Sequence, residues 1–572
     1  MERLPEHIVE AVACHVASFP AHAAPRDART WHEPQKEPAL VPLMGACRSW
    51  RRAVCPLFYR AAVLELPTYS TAPRDRCALY AADAADRGWL RRVCQIHVEI
   101  DVAQFDECWD AGPRCPAAAV RRHGQLPSVR SVHVRFRLPR MADRERMVEL
   151  SGDAHRARRA DSNVRAFVDA VLETMPDAHC VGIGNQGYHM MDRELQASVR
   201  STLKGAHRLV GPRTIHLELS NVGSGDLPTV CSEPAPPLRS ITIAQGESLL
   251  EHVELVRRCA DTLESLDIGW LRDALIAPWL HSSEDPDGVQ RYPRLRHLSV
   301  NCRISFRAPT PWRPAANPFP RLETLVCPTN PPFSIAAVLL ETRKQLRHLD
   351  ICADLGLMVA LFVPEIGERG ALPGLRYLSL EVGAEVRGIG GVVRRLMCWA
   401  AQAGPAVHTV RLLGFRVPDA DHAMVTAGLS GALRTLDLNG TPLTLDEAMA
   451  TLRACPGLLK LRLAIIDASD AQDQIAQSDA EIRQYQELHG CSAFSVRYLG
   501  LDTMGYADMR TAGLLALLLA GLLPSVARVT IIPVGPGPHD SLLQYIRDMR
   551  RNVPYDKILC SRVVRFFVGR DW

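Results

Sequence analysis

The sequence predicts an α/β chain in two parts: a small all-α unit over residues 1–60, then an irregular solenoid of strand-and-helix repeats over residues 61–572. Three observations predict it. The pattern apolar-x-x-apolar-x-apolar recurs along most of the chain. Proline or glycine turn signals introduce many of the copies. The first sixty residues instead carry apolar residues at helical spacing.

The clearest copies begin at Leu263 (LESLDI), Leu295 (LRHLSV), Leu322, Leu346 (LRHLDI), Leu375, Val407, Leu433 (LRTLDL), Leu458, Val496 and Val526. Weaker ones begin at Val93, Val129, Ala178, Thr214 and Leu238. These fifteen copies lie roughly 31 residues apart on average, and several steps are near 25. YPR, FPR, LPG and CPG precede individual copies; a proline there ends a helix and starts the next segment extended. Each short strand buries alternate residues and cannot cover its own apolar face, so neighbouring repeats must stack.

The pattern resembles the leucine-rich-repeat family, whose period is roughly 20–29 residues. That family has Asn or Cys three residues after the last apolar position. Here the position holds Asp101, Arg137, Gln186, Gly246 or Thr441, and only Asn330 matches, so irregular repeats are expected. Insertions are expected near 140–165, an arginine-rich loop, and near 271–292 and 466–490.

In the first sixty residues, Pro5 stands at a favourable first helical position, and Ile8, Val12, Val16 and Phe19 form an apolar stripe. A proline-rich loop follows, then a second helix with Leu40, Leu43, Met44, Cys47, Trp50 and Val54 at helical spacing. Leu4, Pro5, Ile8 and Val12, followed by Leu43, Ala46, Cys47, Arg48, Trp50 and Arg51, resemble the F-box motif. The whole chain thus resembles fungal-type F-box/leucine-rich-repeat proteins. The connector of roughly 20 residues between the two helices is longer than that family generally has. The resemblance implies an adaptor-binding surface of Leu4, Pro5, Ile8, Val12, Leu43, Cys47, Trp50 and Arg51. It implies a Skp-type adaptor and through it a cullin as partners, and a role as a non-catalytic receptor delivering an unknown protein substrate to a cullin–RING ubiquitin ligase. A leucine-rich-repeat scaffold with no ligase partner is the alternative.

Composition limits the other classes. Hydrophobic content of 47% and charged content of 23% are those of a folded globular chain. A net charge of +4 argues against nucleic acid as partner. The longest apolar run, over residues 512–523, has 12 residues, too short for a membrane span of roughly 20, and predicts a buried helix. MERLPEHIVE does not read as a secretory signal. Seventeen cysteines without a C-x-x-C pair predict free buried thiols and a cytoplasmic or nuclear location. Arginine makes up 62 of the 67 basic residues, as codon usage in a GC-rich genome would produce; scarce lysine would also limit self-modification.

GIGNQG at residues 182–187 matches a dinucleotide fingerprint but coincides with a repeat strand and has no acid at the required distance. No nucleophile elbow, phosphate loop or paired zinc motif is present, so neither enzyme activity, metal nor cofactor is expected. His97, His133, His216, His297 and His348 fall between buried positions, on the exposed side of the strands. On that side, expected to be concave, the predicted substrate-binding residues are Asp267, His297, His348, Asp350, Tyr377, Arg411, Asp437, Arg462 and Tyr498. Tyrosine and arginine are the usual anchors of protein interfaces.

Overall fold

The computed structural model describes residues 61–65, 93–101, 116–137, 154–186, 209–210, 213–220, 237–244, 250–272, 279, 290–303, 317–327, 345–352, 374–381, 407–413, 433–443, 445–465, 483–484, 486–487, 490–491, 494–502, 509–532 and 565–568. Residues 1–60, which carry the expected adaptor surface from Leu4 to Arg51, lie outside them.

The chain divides into two compact units, Met1–Arg303 and Ile304–Trp572. In the first, eight strands follow in order: β1 (Ala61–Glu65), β2 (Gln95–Asp101), β3 (Ser131–Arg137), β4 (Cys180–Gln186), β5 (His216–Ser220), β6 (Ser240–Ala244), β7 (Ser265–Arg272) and β8 (His297–Arg303). Each pairs with the next, always parallel. The second unit has nine: β9 (Thr324–Cys327), β10 (His348–Cys352), β11 (Tyr377–Glu381), β12 (Thr409–Leu413), β13 (Thr435–Leu443), β14 (Lys460–Ile465), β15 (Tyr498–Asp502), β16 (Arg528–Ile532) and β17 (Arg565–Val568). These too pair consecutively and in parallel. Parallel pairing of successive strands requires a return crossover each time, which is the strand order of a solenoid.

The fifteen sequence copies are β2 to β16, each strand beginning two residues after the first apolar position. The repeat register explains the core. Leu349, Leu378, Val410, Leu436, Leu461, Leu499 and Val529 lie side by side on successive strands. All are 1% exposed or less. Ile96, Val132, Val181, Leu217, Ile241, Leu266 and Leu298 do the same in the first unit. Each fully buried aliphatic side chain contributes about 1.5–3 kcal/mol, and none could be buried without its neighbour repeat.

The proline turns have a common geometry. In YPRL, FPRL, CPGL and two copies of LPSV, the first residue is buried: Tyr292, Phe319, Cys455, Leu126 and Leu523. Its carbonyl accepts the N–H of the apolar residue three positions on: Leu295 to Tyr292 (3.2 Å), Leu322 to Phe319 (3.2 Å), Leu458 to Cys455 (3.1 Å), Val129 to Leu126 (3.1 Å), Val526 to Leu523 (3.2 Å). Proline at the second turn position presets φ and needs no N–H there. The turn therefore adds a further core residue to the repeat.

Five helices are described: α1 (Pro116–Arg121), α2 (Ala154–Thr174), α3 (Leu250–Arg258), α4 (Leu445–Ala454) and α5 (Met509–Leu522). α5 is the expected buried helix: Ala516 to Ala520 are all at most 2% exposed. Among the described residues, no helix is long and apolar enough to cross a membrane. The described cysteines form no disulfide, and Cys259, Cys327, Cys455 and Cys491 are buried. Burial pushes the Cys455 thiol up to about 12 and Cys491 to about 11.

One expectation is corrected, and two of the expected insertions prove to contribute packed residues. The segment 140–165 is not a loop throughout, because α2 begins at Ala154. Its buried stripe, Val164, Phe167, Val168 and Val171, starts ten residues into the helix. Alanine and arginine, both good helix formers, extend it toward the N-terminus without apolar periodicity. The stretch 271–292 returns to the core: Trp279 and Tyr292 are at most 1% exposed, and the Tyr292 hydroxyl donates to the Trp279 carbonyl at 3.1 Å. Within 466–490, Gln486 Nε2 donates to the Gly521 carbonyl (2.7 Å) and to that of Leu522 (3.3 Å), satisfying the C-terminal end of α5.

Candidate functional site

Strand alternation turns the first and third residues of each strand to the face opposite the aliphatic core. On that polar face, register decides which side chains meet.

In the second unit the third-position row runs Asp350, Ser379, Arg411, Asp437, Arg462, Gly500, Thr530. Arg411 Nε donates to Asp437 Oδ2 at 3.0 Å, and its Nη1 donates to the Tyr377 hydroxyl at 3.3 Å. Arg462 Nη1 approaches the same Asp437 oxygen at 3.8 Å. Asp437 is fully buried, while the Arg411 and Arg462 side chains are 19% and 11% exposed. One enclosed carboxylate thus holds two guanidiniums in neighbouring strands. Burial works against the Arg411 charge, but Tyr377 and Asp437 outweigh it and hold its pKa above the ordinary value.

The first-position row lies beside it. The His348 and Tyr377 rings stack at 3.9 Å and 2°. Lys460 Nζ lies 5.5 Å from the centre of the Tyr498 ring, a cation–π contact. Seven of the nine predicted contact residues therefore fall on this face: His348, Asp350, Tyr377, Arg411, Asp437, Arg462 and Tyr498. Their roles differ, since Asp350 and Asp437 are buried beneath the row whereas Tyr377, Arg411 and Tyr498 are half-buried.

The first unit places Asp267 and His297 on adjacent strands. Burial raises the Asp267 carboxyl against the opposing effect of a Ser299 hydrogen bond and His297. Two strands away, Glu218 is also raised, by burial and then by Asp267, with Arg135 opposing.

The sequence reading placed His97 and His133 on this side of the strands but missed how they join Glu218. The two rings stack on adjacent strands at 4.8 Å and 10°. Ser131 Oγ lies 2.7 Å from His133 Nε2, and His133 Nδ1 faces Glu218 Oε2 at 3.5 Å. Donation by the serine hydroxyl leaves the ring proton on Nδ1, toward the carboxylate. The strand between them, β4, presents Gly182 at this row. A Cβ there would stand 2.2 Å from His133 Nδ1. The first glycine of GIGNQG therefore leaves the space through which His133 reaches across a strand, in a strand and not in a phosphate-binding turn.

Ser131, His133 and Glu218 follow the order of an acyl-transfer triad, yet the surroundings oppose that chemistry. Burial lowers His133 to about 4, far from the range of a general base at neutral pH. Among the described residues, the strand amides beside Ser131 are committed to the parallel ladder and offer no N–H pair to an oxyanion. His97 is lowered further, to about 3, by burial, then His133 and Arg135. Both histidines are neutral, buried polar residues at neutral pH. Among the described residues, no three His, Cys, Asp or Glu side chains converge as metal ligands.

No family model matches the chain, and no curated protein matches it either.

Proposed function

We propose that the protein is a non-catalytic recognition subunit. Its repeats bind a target protein, and its first sixty residues dock on a Skp-type adaptor that connects the target to a cullin–RING ubiquitin ligase. The observation that carries the recognition half is the polar face of the second unit, where stacked and ion-paired side chains on successive strands hold Tyr377, Arg411, Arg462 and Tyr498 in fixed positions. Such preorganised tyrosine and arginine side chains suit protein interfaces, because less side-chain freedom is lost on binding. The adaptor half rests on the F-box resemblance of Leu4, Pro5, Ile8, Val12, Leu43, Cys47, Trp50 and Arg51. The mechanism is positional: holding a target beside the conjugating enzyme raises its effective concentration.

The test is co-purification of the Skp-type adaptor with the intact chain and with a Pro5→Ala/Trp50→Ala variant, both checked by thermal melting. Capture by the intact chain and loss in the folded variant are expected. A well-folded intact chain that captures no adaptor leaves the repeats as a binding scaffold without a ligase.

A further inference from the structure

The edge at which the strands of the second unit begin carries a one-sided row of charge. Two residues per repeat form it, the one before each strand and the first of the strand. They are locked in register by a carbonyl that accepts two N–H groups from the next repeat: Arg376 and Tyr377 to Arg347 (2.8 and 3.1 Å), Arg434 and Thr435 to His408 (2.8 and 3.0 Å), Arg497 and Tyr498 to Leu459 (2.9 and 3.1 Å). From β10 to β16 these positions hold Arg347, Arg376, Arg434, Lys460, Arg497 and Arg528, and no carboxylate. The side chains of Arg347, Arg376, Arg434, Lys460 and Arg497 are exposed. Of these five exposed cations, Arg347 alone has a carboxylate partner among the described residues, Glu323 at 3.8 Å, at the β9 end of the row.

Composition does not explain this. The chain has 67 basic and 63 acidic residues, so mixed signs are the expectation. The corresponding edge of the first unit is mixed and compensated: Arg130 pairs with Asp177 at 3.1 Å and Arg239 with Glu264 at 3.9 Å. The second unit instead keeps like charges on neighbouring and alternate strands, an arrangement that repels itself unless an anion lies along it.

We propose that this strand-start edge binds an extended acidic polypeptide segment of the target, lying across the strands from β10 to β16; the proposal rests on the protein-recognition reading above. Six strand steps of about 4.8 Å span about 29 Å, which an extended polyproline-II chain rising about 3.1 Å per residue covers in about nine residues. That chain has three residues per turn, so every third side chain, about 9 Å apart, points to one side and faces the cations on alternate strands, about 10 Å apart. Single-stranded nucleic acid is the competing polyanion, but it requires free aromatic faces for its bases. Three of the rings at this edge are already engaged, His348 with Tyr377 and Tyr498 with Lys460.

The experiment titrates the full chain into a fluorescein-labelled peptide of about twelve residues with glutamate at every third position. Three comparisons accompany it: the same peptide with glutamine, a thymidine oligonucleotide of equal length, and the glutamate peptide in about 0.5 M salt. The glutamate peptide should bind, the glutamine peptide should not, and salt should weaken binding. Arg376→Glu/Arg434→Glu/Arg497→Glu should lower the affinity about tenfold or more, while Arg296→Glu on the first unit leaves it unchanged. Absent binding, equal binding of the glutamine peptide, indifference to the triple reversal or tighter binding of the oligonucleotide would each overturn the proposal. The peptide comparisons on the intact chain decide the matter even where the triple variant does not fold. Adaptor capture is read separately: a chain that captures the adaptor but ignores the acidic peptide loses only this proposal, and one that binds the peptide without adaptor loses only the ligase.

Discussion

Replacing Gly182 by alanine should damage the first unit through a single side chain, His133. An added Cβ would stand 2.2 Å from His133 Nδ1 and 2.9 Å from its Cγ. Relief requires the imidazole to move by about 1 Å or more, since ordinary contacts begin near 3.4 Å. The ring is 8% exposed, stacked on His97 and bonded to Ser131, so it cannot move without losing those contacts. Overpacking of this kind costs about 1–3 kcal/mol, and a lost hydrogen bond about 1 kcal/mol more. We expect about 2–4 kcal/mol of local destabilisation. In a His133→Ala background the obstacle is gone, and Gly182→Ala should be neutral or stabilising by about 0.5 kcal/mol through the unfolded chain. The two changes should therefore couple by about 2–4 kcal/mol. Hydrogen exchange read on peptides covering β3, β4 and β5 measures this locally, which a repeat protein needs because its unfolding is not a single step. Equal cost of Gly182→Ala in both backgrounds would refute the reasoning.

The remaining predictions concern neighbouring features. His97 and His133 are lowered from 6.5 to about 3 and about 4, so the unfolded chain binds more protons below pH 6.5. Their contribution is complete above pH 6.5 and falls as pH drops toward about 4 for His133 and about 3 for His97, by up to about 1.4 kcal/mol per pH unit for each. Exchange in β2 and β3 should accelerate over that window and flatten in a His97→Gln/His133→Gln variant. Asp437→Ala leaves two part-buried guanidiniums without their shared carboxylate and should cost about 3–5 kcal/mol, seen as faster exchange across β12 to β14. Tyr292→Phe removes one buried hydrogen bond to the Trp279 carbonyl and should cost about 1 kcal/mol in the same measurement.

Where a structural feature lies within one repeat, the sequence makes it visible. The strands β2 to β16 follow from three apolar positions per copy because burial of those positions is what makes the strand. β17 fits the same spacing through Val563, Phe566 and Val568, but no proline turn introduces it and it escaped the series. β1 has Tyr59 and Ala62 where most copies have aliphatic residues, so it does not stand out as a copy. The polar half of α2 was missed because propensity without periodicity carries little signal. The candidate site is harder. Its outward positions were legible residue by residue, yet the link from His133 to Glu218 across Gly182, and the enclosure of Asp437 by Arg411 and Arg462, are properties of register between repeats. No spacing within one segment encodes them.

On the proposed function, target and adaptor are held by different parts of one chain. The most direct test is parallel affinity purification of two variants, Tyr377→Ala/Tyr498→Ala on the polar face and Pro5→Ala/Trp50→Ala in the first sixty residues, each against the intact chain. Complementary losses are expected: the face variant keeps the Skp-type adaptor and cullin but loses a protein partner, and the N-terminal variant keeps that partner but loses both ligase subunits. Retention of ligase subunits by both folded variants, or their joint loss from the face variant, would contradict the proposed function.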